Sequence, residues 1–100
     1  MGRRSMQAFI VTYDIADPKR LRHVYETMRG YGTWLQLSVF RCELTARALV
    51  DLRAALSTII QEQEDQVLFI DIGPVEGRGL DAIRALGKPY VPEDRGPVVV

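Results

Sequence analysis

Apolar residues arrive in blocks along the chain, and their spacing changes from block to block. In "MQAFIVTYDI" (6–15) they run almost without interruption and are β-branched or aromatic, the pattern of a strand buried on both faces. In "DPKRLRHVYETMRGYG" the spacing becomes helical. Leu21, Val24, Tyr25, Met28 and Tyr31 form one stripe, with Asp17 as N-cap, Pro18 at the first helical position, and Gly30 and Gly32 as the stop. "TWLQLSVFRCEL" (33–44) returns to β-rich composition. It is too long and mixed for one strand, so two short strands with a tight turn or bulge near Gln36–Ser38 are expected. Thr45 then caps a second helix, "ARALVDLRAALSTIIQEQ" (46–63), whose buried stripe is Leu49, Leu52, Leu56, Ile59 and Ile60. "DQVLFIDIGP" (65–74) is a further strand, ended by Gly73–Pro74.

The remainder, 75–100, is an irregular tail. A short helix over 80–87, closed by Gly87, is expected before Pro89, Pro92, Gly96 and Pro97 break the pattern. "VVV" (98–100) reads as a last strand that needs a partner edge, in its own sheet or in another subunit. The order β-α-β-β-α-β predicts an α+β fold, a ferredoxin-like βαββαβ sandwich with an additional C-terminal strand. One hundred residues make a single domain, 1–100, in which 1–5 are a possible N-terminal extension. The helices cover one face of such a sheet. With Trp34, Phe40 and Phe69 available in the strands, a symmetric homodimer is a natural way to bury the other.

Composition narrows the chemistry. The single cysteine, Cys42, allows no intrachain disulfide, and no Cys/His cluster suits zinc. A reducing, cytoplasmic setting is expected. No apolar run approaches the ~20 residues of a membrane span, so no membrane partner is expected. His23 is the only histidine, which rules out two-histidine schemes within one chain. Net charge is zero, but cations gather between Arg3 and Arg29, and acids at Glu62, Glu64 and Asp65. A local basic face binds phosphate even on a neutral chain, although a solvated helix face is the commoner meaning.

Asp14 stands where the first strand ends. A carboxylate there costs free energy unless it is paired, hydrogen-bonded or metal-bound. Carboxylate oxygens suit Mg²⁺, and two copies of Asp14 facing each other across a dimer axis would make a site able to activate water against a phosphodiester. The plainer alternative is a carboxylate that caps the loop or helix beside Asp17. Lys19, Arg20 and Arg22 occupy the first turns of the helix, against its dipole, which hints at phosphate contact. A pair between Arg20 and Asp14 or Asp17 is the competing expectation. Ser38, in the tight turn, is a further phosphate donor, or simply bonds its own backbone.

Taken together, "VTYDIADPKRLRHVYETMRGYG", "TWLQLSVFRCEL" and "EDQVLFIDIG" resemble the small CRISPR-associated nuclease family, Cas-two. The likeness spans about residues 6–74 in order and spacing, and the tail "LGKPYVPEDRGPVVV" resembles the family's last strand. The resemblance implies a metal-binding, catalytic Asp14, one from each subunit of a homodimer. It implies that Tyr13, Arg20, Ser38 and Phe40 serve substrate binding or activity, and that the last strand pairs with the partner subunit's sheet. It further implies a Mg²⁺-dependent endonuclease acting on single-stranded RNA or double-stranded DNA. The other implied role is a hub that bridges dimers of a CRISPR integrase (Cas-one type) and holds double-stranded prespacer DNA for spacer acquisition in antiviral defence. Arg41 stands where an acid is common in the family. That change removes one possible ligand and adds a cation near the DNA-facing surface, so it favours the binding role. The alternative is a toxin-like metal-dependent ribonuclease of the same fold.

Overall fold

The computed structural model describes residues 5–90. The elements run β1 (Gln7–Asp14), α1 (Pro18–Arg29), β2 (Gly32–Gln36), β3 (Val39–Leu44), α2 (Ala46–Ser57), β4 (Gln66–Pro74) and a 3₁₀ turn at Arg78–Leu80. The strands form one antiparallel sheet in the order β2-β3-β1-β4, and both helices pack on the same side. This is the ferredoxin-like α+β arrangement expected from the element order. The last strand, "VVV", and the possible extension at 1–5 lie wholly or largely outside the described residues.

Alternation along β1 sorts the two faces. Phe9, Val11 and Tyr13 turn toward the helices and join Val24 and Met28 of α1, Phe40 and Cys42 of β3, and Leu52 and Leu56 of α2. Ile10, Thr12 and Asp14 belong to the opposite, open face, where Ile10 sits beside Ile70, and Thr12 beside Leu68. Leu68 and Ile70 are each 46% exposed. Trp34, Phe40 and Phe69 all belong to the helix-side core or pack against it. The aromatic rings expected to feed a face-to-face dimer are therefore spent within the subunit, and the open face offers aliphatic side chains instead.

Helix α1 begins as its sequence dictates. The Asp17 carboxylate accepts from the amides of Lys19 and Arg20, both at 3.0 Å, and Pro18 takes the first position, where an amide is dispensable. Leu21, counted in the apolar stripe, is exposed; Val24 and Met28 carry the burial. Gly30 caps the helix in ordinary right-handed geometry (φ −78°), and Gly32 already belongs to β2.

Helix α2 ends at Ser57, six residues before its expected end at Gln63. Ser57 Oγ donates to Arg53 O, and Thr58 Oγ1 to Ala55 O, so the closing hydroxyls bond back onto the last turn. Ile59 and Ile60 still pack against the core, but from a turn. The helix expected over 80–87 is absent. Residues 81–90 hold no regular element, Gly87 turns with φ +95°, and Leu86 is fully exposed. So short a segment, with Leu86 left in water rather than packed on the sheet, does not repay helix nucleation.

Beyond β4 the chain folds back over the near end of the sheet. Gly73 (φ +106°) allows the turn at the strand's end, and Val75 N donates to Met6 O at 3.0 Å. Gly79 then lies so close to the sheet that a Cβ there would come within 2.6 Å of the Ala8 Cβ. Arg41 fastens it, donating from NH2 to Gly79 O at 2.7 Å and from NH1 to Glu43 Oε2 at 2.7 Å.

Candidate nucleic-acid and metal site

Three pieces of chain meet at the end of β1. The first is Asp14, exposed, on the open face and in register with Gln66 of β4. Its carboxylate makes no hydrogen bond or ion pair among the described residues. The free-energy cost expected of an unpaired carboxylate at this strand end does not arise: Asp14 is exposed, and solvation replaces the missing partner. Its neighbour Tyr13 faces the other way. Its ring lies 6.2 Å from that of Phe40, and burial, with Tyr25 adding to it, pushes the phenol up to about 12. Tyr13 is therefore a neutral core group at physiological pH.

The second piece is the β2–β3 turn. Tyr13 N donates to Ser38 O at 3.1 Å, so the turn is tied to the strand one residue before Asp14. Leu37 occupies the left-handed region (φ +42°) and is 83% exposed, while Trp34 Nε1 donates to its carbonyl at 2.9 Å. Ser38 is half-buried beside it. Phe40 is fully buried beneath α1, with Tyr25 5.6 Å away, so as packed it supports the site from below and presents no surface to nucleic acid.

The third piece is the segment leading into β4, where sequence reasoning saw only a group of acids. Asp65 is the only buried charged or polar residue of the described chain, and its side chain has no exposed surface. Oδ1 accepts from Ala16 N at 2.9 Å and from Arg20 NH2 at 3.2 Å; Oδ2 accepts from Arg20 Nε at 2.8 Å and Gln61 N at 2.8 Å. Hydrogen bonding by the Arg20 guanidinium, aided by the two amides, holds the carboxyl well below the usual carboxylate range. Arg20 NH2 also reaches Glu64 Oε1 at 3.2 Å. The expected partners of Arg20, Asp14 and Asp17, are thereby corrected: Asp17 is occupied by the helix cap, and the arginine turns to the acids before β4.

The remaining candidates separate. Lys19 and Arg22 are exposed on α1, the latter in a loose 3.5 Å pair with Glu26 one turn on. Both side chains reach solvent. Arg41 differs: its side chain is only 10% exposed and is engaged by Glu43 and Gly79. The lean toward a binding role that its sequence position suggested loses its basis. His23 is exposed. Cys42 is fully buried, and desolvation pushes its thiol up to about 12, so it is packing rather than a nucleophile.

Among the described residues no group of three or more His, Cys, Asp or Glu side chains is arranged to hold a metal. Asp14 alone is too few ligands for a divalent ion. An exposed, unpartnered carboxylate suits Mg²⁺, which keeps most of its waters, provided a second carboxylate comes from another copy. No helix among the described residues is long and apolar enough to cross a membrane.

Comparison with known proteins places this geometry. The sequence pattern of CRISPR associated protein Cas2 matches residues 6–76. The chain is 43% identical over 93 residues to CRISPR-associated endoribonuclease Cas2 1 of Rhodospirillum rubrum, covering 93% of this chain and 90% of that protein. It is 40% identical over 92 residues to CRISPR-associated endoribonuclease Cas2 of Geobacter sulfurreducens, covering 92% and 96%. Among solved structures, hypothetical protein TT1823 from Thermus thermophilus superposes with a TM-score of 0.73 at 32% identity, over 88% of this chain and 99% of that one. Streptococcus pyogenes Cas2 superposes with a TM-score of 0.70 at 35% identity, over 80% and 99%. With its pattern matched from β1 through the end of β4 and its fold shared, the chain belongs to the CRISPR-associated Cas2 family.

Proposed function

We propose that the chain acts as a symmetric homodimer in CRISPR spacer acquisition. It holds double-stranded prespacer DNA, bridges dimers of the CRISPR integrase, and retains a Mg²⁺-dependent endonuclease activity centred on Asp14. The observation that carries this reading is the position of Asp14: exposed, unpartnered, and on the same open face as Leu68 and Ile70. Two copies that bury this aliphatic face against each other bring their Asp14 carboxylates to a common axis. The nuclease names of the relatives, endoribonuclease in two and endonuclease in a Thermus thermophilus protein 35% identical to this chain, support the catalytic half.

The residues divide the work by exposure. The paired Asp14 carboxylates would hold the cation, which when bound supplies a Lewis acid for the phosphodiester and lowers the pKa of water. The reaction such a site would serve is phosphodiester hydrolysis, in which a P–O bond to a water oxygen forms as the bond to one sugar oxygen breaks, leaving a phosphate on one fragment and a hydroxyl on the other. Lys19 and Arg22 contact backbone phosphates, which needs charge and no base readout. Tyr13 and Phe40 hold the strand end and the turn in register from the core side. Among the described residues no buried general base stands by the Asp14 carboxylate, so slow turnover is expected.

Cleavage of labelled single-stranded RNA and duplex DNA by wild type, Asp14→Ala, and wild type with EDTA tests the enzyme. Mg²⁺-dependent cutting that disappears in both controls supports it. If wild type cuts neither substrate, or Asp14→Ala cuts equally, the catalytic half fails. The hub role then stands or falls on capture of the integrase and of duplex DNA by the purified dimer.

A further inference from the structure

We propose that Arg20 and Asp65 form a positioning pair for Asp14, with Arg20 acting through Asp65 rather than touching nucleic-acid phosphate. The inference rests on the reading of Asp14 as a metal ligand. The backbone around Asp14 is held from three sides. Tyr13 N is tied to Ser38 O before it, Asp14 itself is laddered to Gln66, and Ala16 N is tied to Asp65 Oδ1 two residues after it. The last of these anchors is the one that needs explaining, because it places a charged carboxylate out of water. A lone buried carboxylate would be costly, and Arg20 is what makes it tolerable: Nε and NH2 approach the two oxygens at 2.8 and 3.2 Å, a fork on a fork.

This arrangement accounts for a misfit in the sequence. Cations in the first turn of α1 oppose the helix dipole, and for Lys19 and Arg22 exposure leaves phosphate contact open. For Arg20 it does not. Its guanidinium is directed at Asp65 and Glu64, and only 23% of its side chain is exposed. The same pair also joins elements far apart in sequence. Asp65 binds Gln61 N on its own loop, Ala16 N after β1, and Arg20 on α1. The Ile15–Ala16 peptide, the second after Asp14, is thus locked to both α1 and the start of β4, and the direction of the Asp14 carboxylate depends on that lock. Groups that orient a metal ligand without touching the ion typically change affinity or activity by tenfold or more when removed.

The test uses the full chain as Asp65→Asn, Arg20→Met and the double variant, with Asp14→Ala as reference. Asp65→Asn keeps shape and one acceptor, and the double variant removes both charges together, so at least one of them is expected to melt cooperatively and can be measured. Mn²⁺, titrated by water-proton relaxation in place of Mg²⁺, reads the Asp14 site, and duplex-DNA affinity is followed against salt. The expected result is Mn²⁺ affinity roughly tenfold weaker in each single variant, with the double no worse than the weaker single. The salt slope is expected to match wild type in all of them. If Arg20→Met alone lowers the slope by about one while Asp65→Asn does not, Arg20 is a phosphate contact and the proposal is overturned. Wild-type Mn²⁺ affinity in the folded variants overturns it equally. If wild type itself binds no Mn²⁺, or Asp14→Ala binds it as well as wild type, the metal reading of Asp14 falls and takes the positioning role with it. That result differs from the failure of the pair alone, in which wild type binds Mn²⁺ through Asp14 and the variants do so equally.

Discussion

The end of β1 and the start of β4 run side by side, and each carries an aspartate. Asp14 stands opposite Gln66, one residue beyond Asp65 in the chain. Asp65 has four hydrogen bonds, an arginine and a side chain with no exposed surface; Asp14 has none of these and faces water. Residue type does not separate them, because both are carboxylates at a strand end. What separates them is the side of the sheet and the supply of donors. The helix side surrounds Asp65 with an amide after β1, an amide of its own loop and a guanidinium from α1. The open side gives Asp14 nothing, and leaves its oxygens to solvent. One carboxylate builds the scaffold and the other is presented by it.

The sharpest contrast is expected from truncating each in turn. Asp14→Ala should cut metal-dependent cleavage by at least about a hundredfold, read by single-turnover assay on labelled RNA, while the melting temperature stays within about 2 °C of wild type. Asp65→Ala should do the reverse to stability. Leaving Ala16 N and Gln61 N without their acceptor, and Arg20 with Glu64 alone, should lower the melting temperature by more than roughly 10 °C by circular dichroism. Equal melting temperatures for the two variants would break the comparison.

Acid sharpens it further. The folded state holds the Asp65 carboxyl below its ordinary value of 3.8, so the stability it contributes is complete above that value and is lost as pH falls through and below it. Wild type should therefore lose urea resistance steeply below about pH 4, and Asp65→Asn should be weaker at neutral pH but lose less over the same acid window. The smallest effect concerns the turn beside Asp14. Leu37→Gly relieves a left-handed leucine, offset by greater freedom of the unfolded chain, for a net gain of about 0.5 kcal/mol in urea unfolding. A loss of that size would mean that the leucine side chain contributes packing there.

Much of the fold is legible in the sequence. The bounds of β1, the Asp17–Pro18 start of α1, the paired short strands and the Thr45 cap are all local, set by residues within a few positions of one another. The candidate residue Asp14 is legible too, as a polar end to an apolar strand. Its exposure is not, because a nearly continuous apolar run does not tell which parity faces the helices. For the same reason Trp34, Phe40 and Phe69 are equally available to either face. Asp65 lies hidden for a different reason. Its partners Ala16 and Arg20 are 49 and 45 positions away, and pairing at that distance leaves no mark in composition or period. Arg41 illustrates the cost of reading charge without geometry: a cation on paper, it is a clasp for the Gly79 carbonyl in space.

The place of β4 in the sheet has a consequence for handling the protein. It is nine residues long, rich in Val, Leu, Ile and Phe, and among the described residues it ends the sheet on one side. Its outer row of amides and carbonyls is a template on which another extended chain can crystallise. Before the register shift beside Asp71, nothing along it resembles the lysines, prolines or bulges that usually blunt such a margin. Storage of the chain at high concentration is therefore expected to give ordered, strand-on-strand precipitate while the helices stay folded, and a single lysine at the exposed Leu68 or Ile70 should delay it.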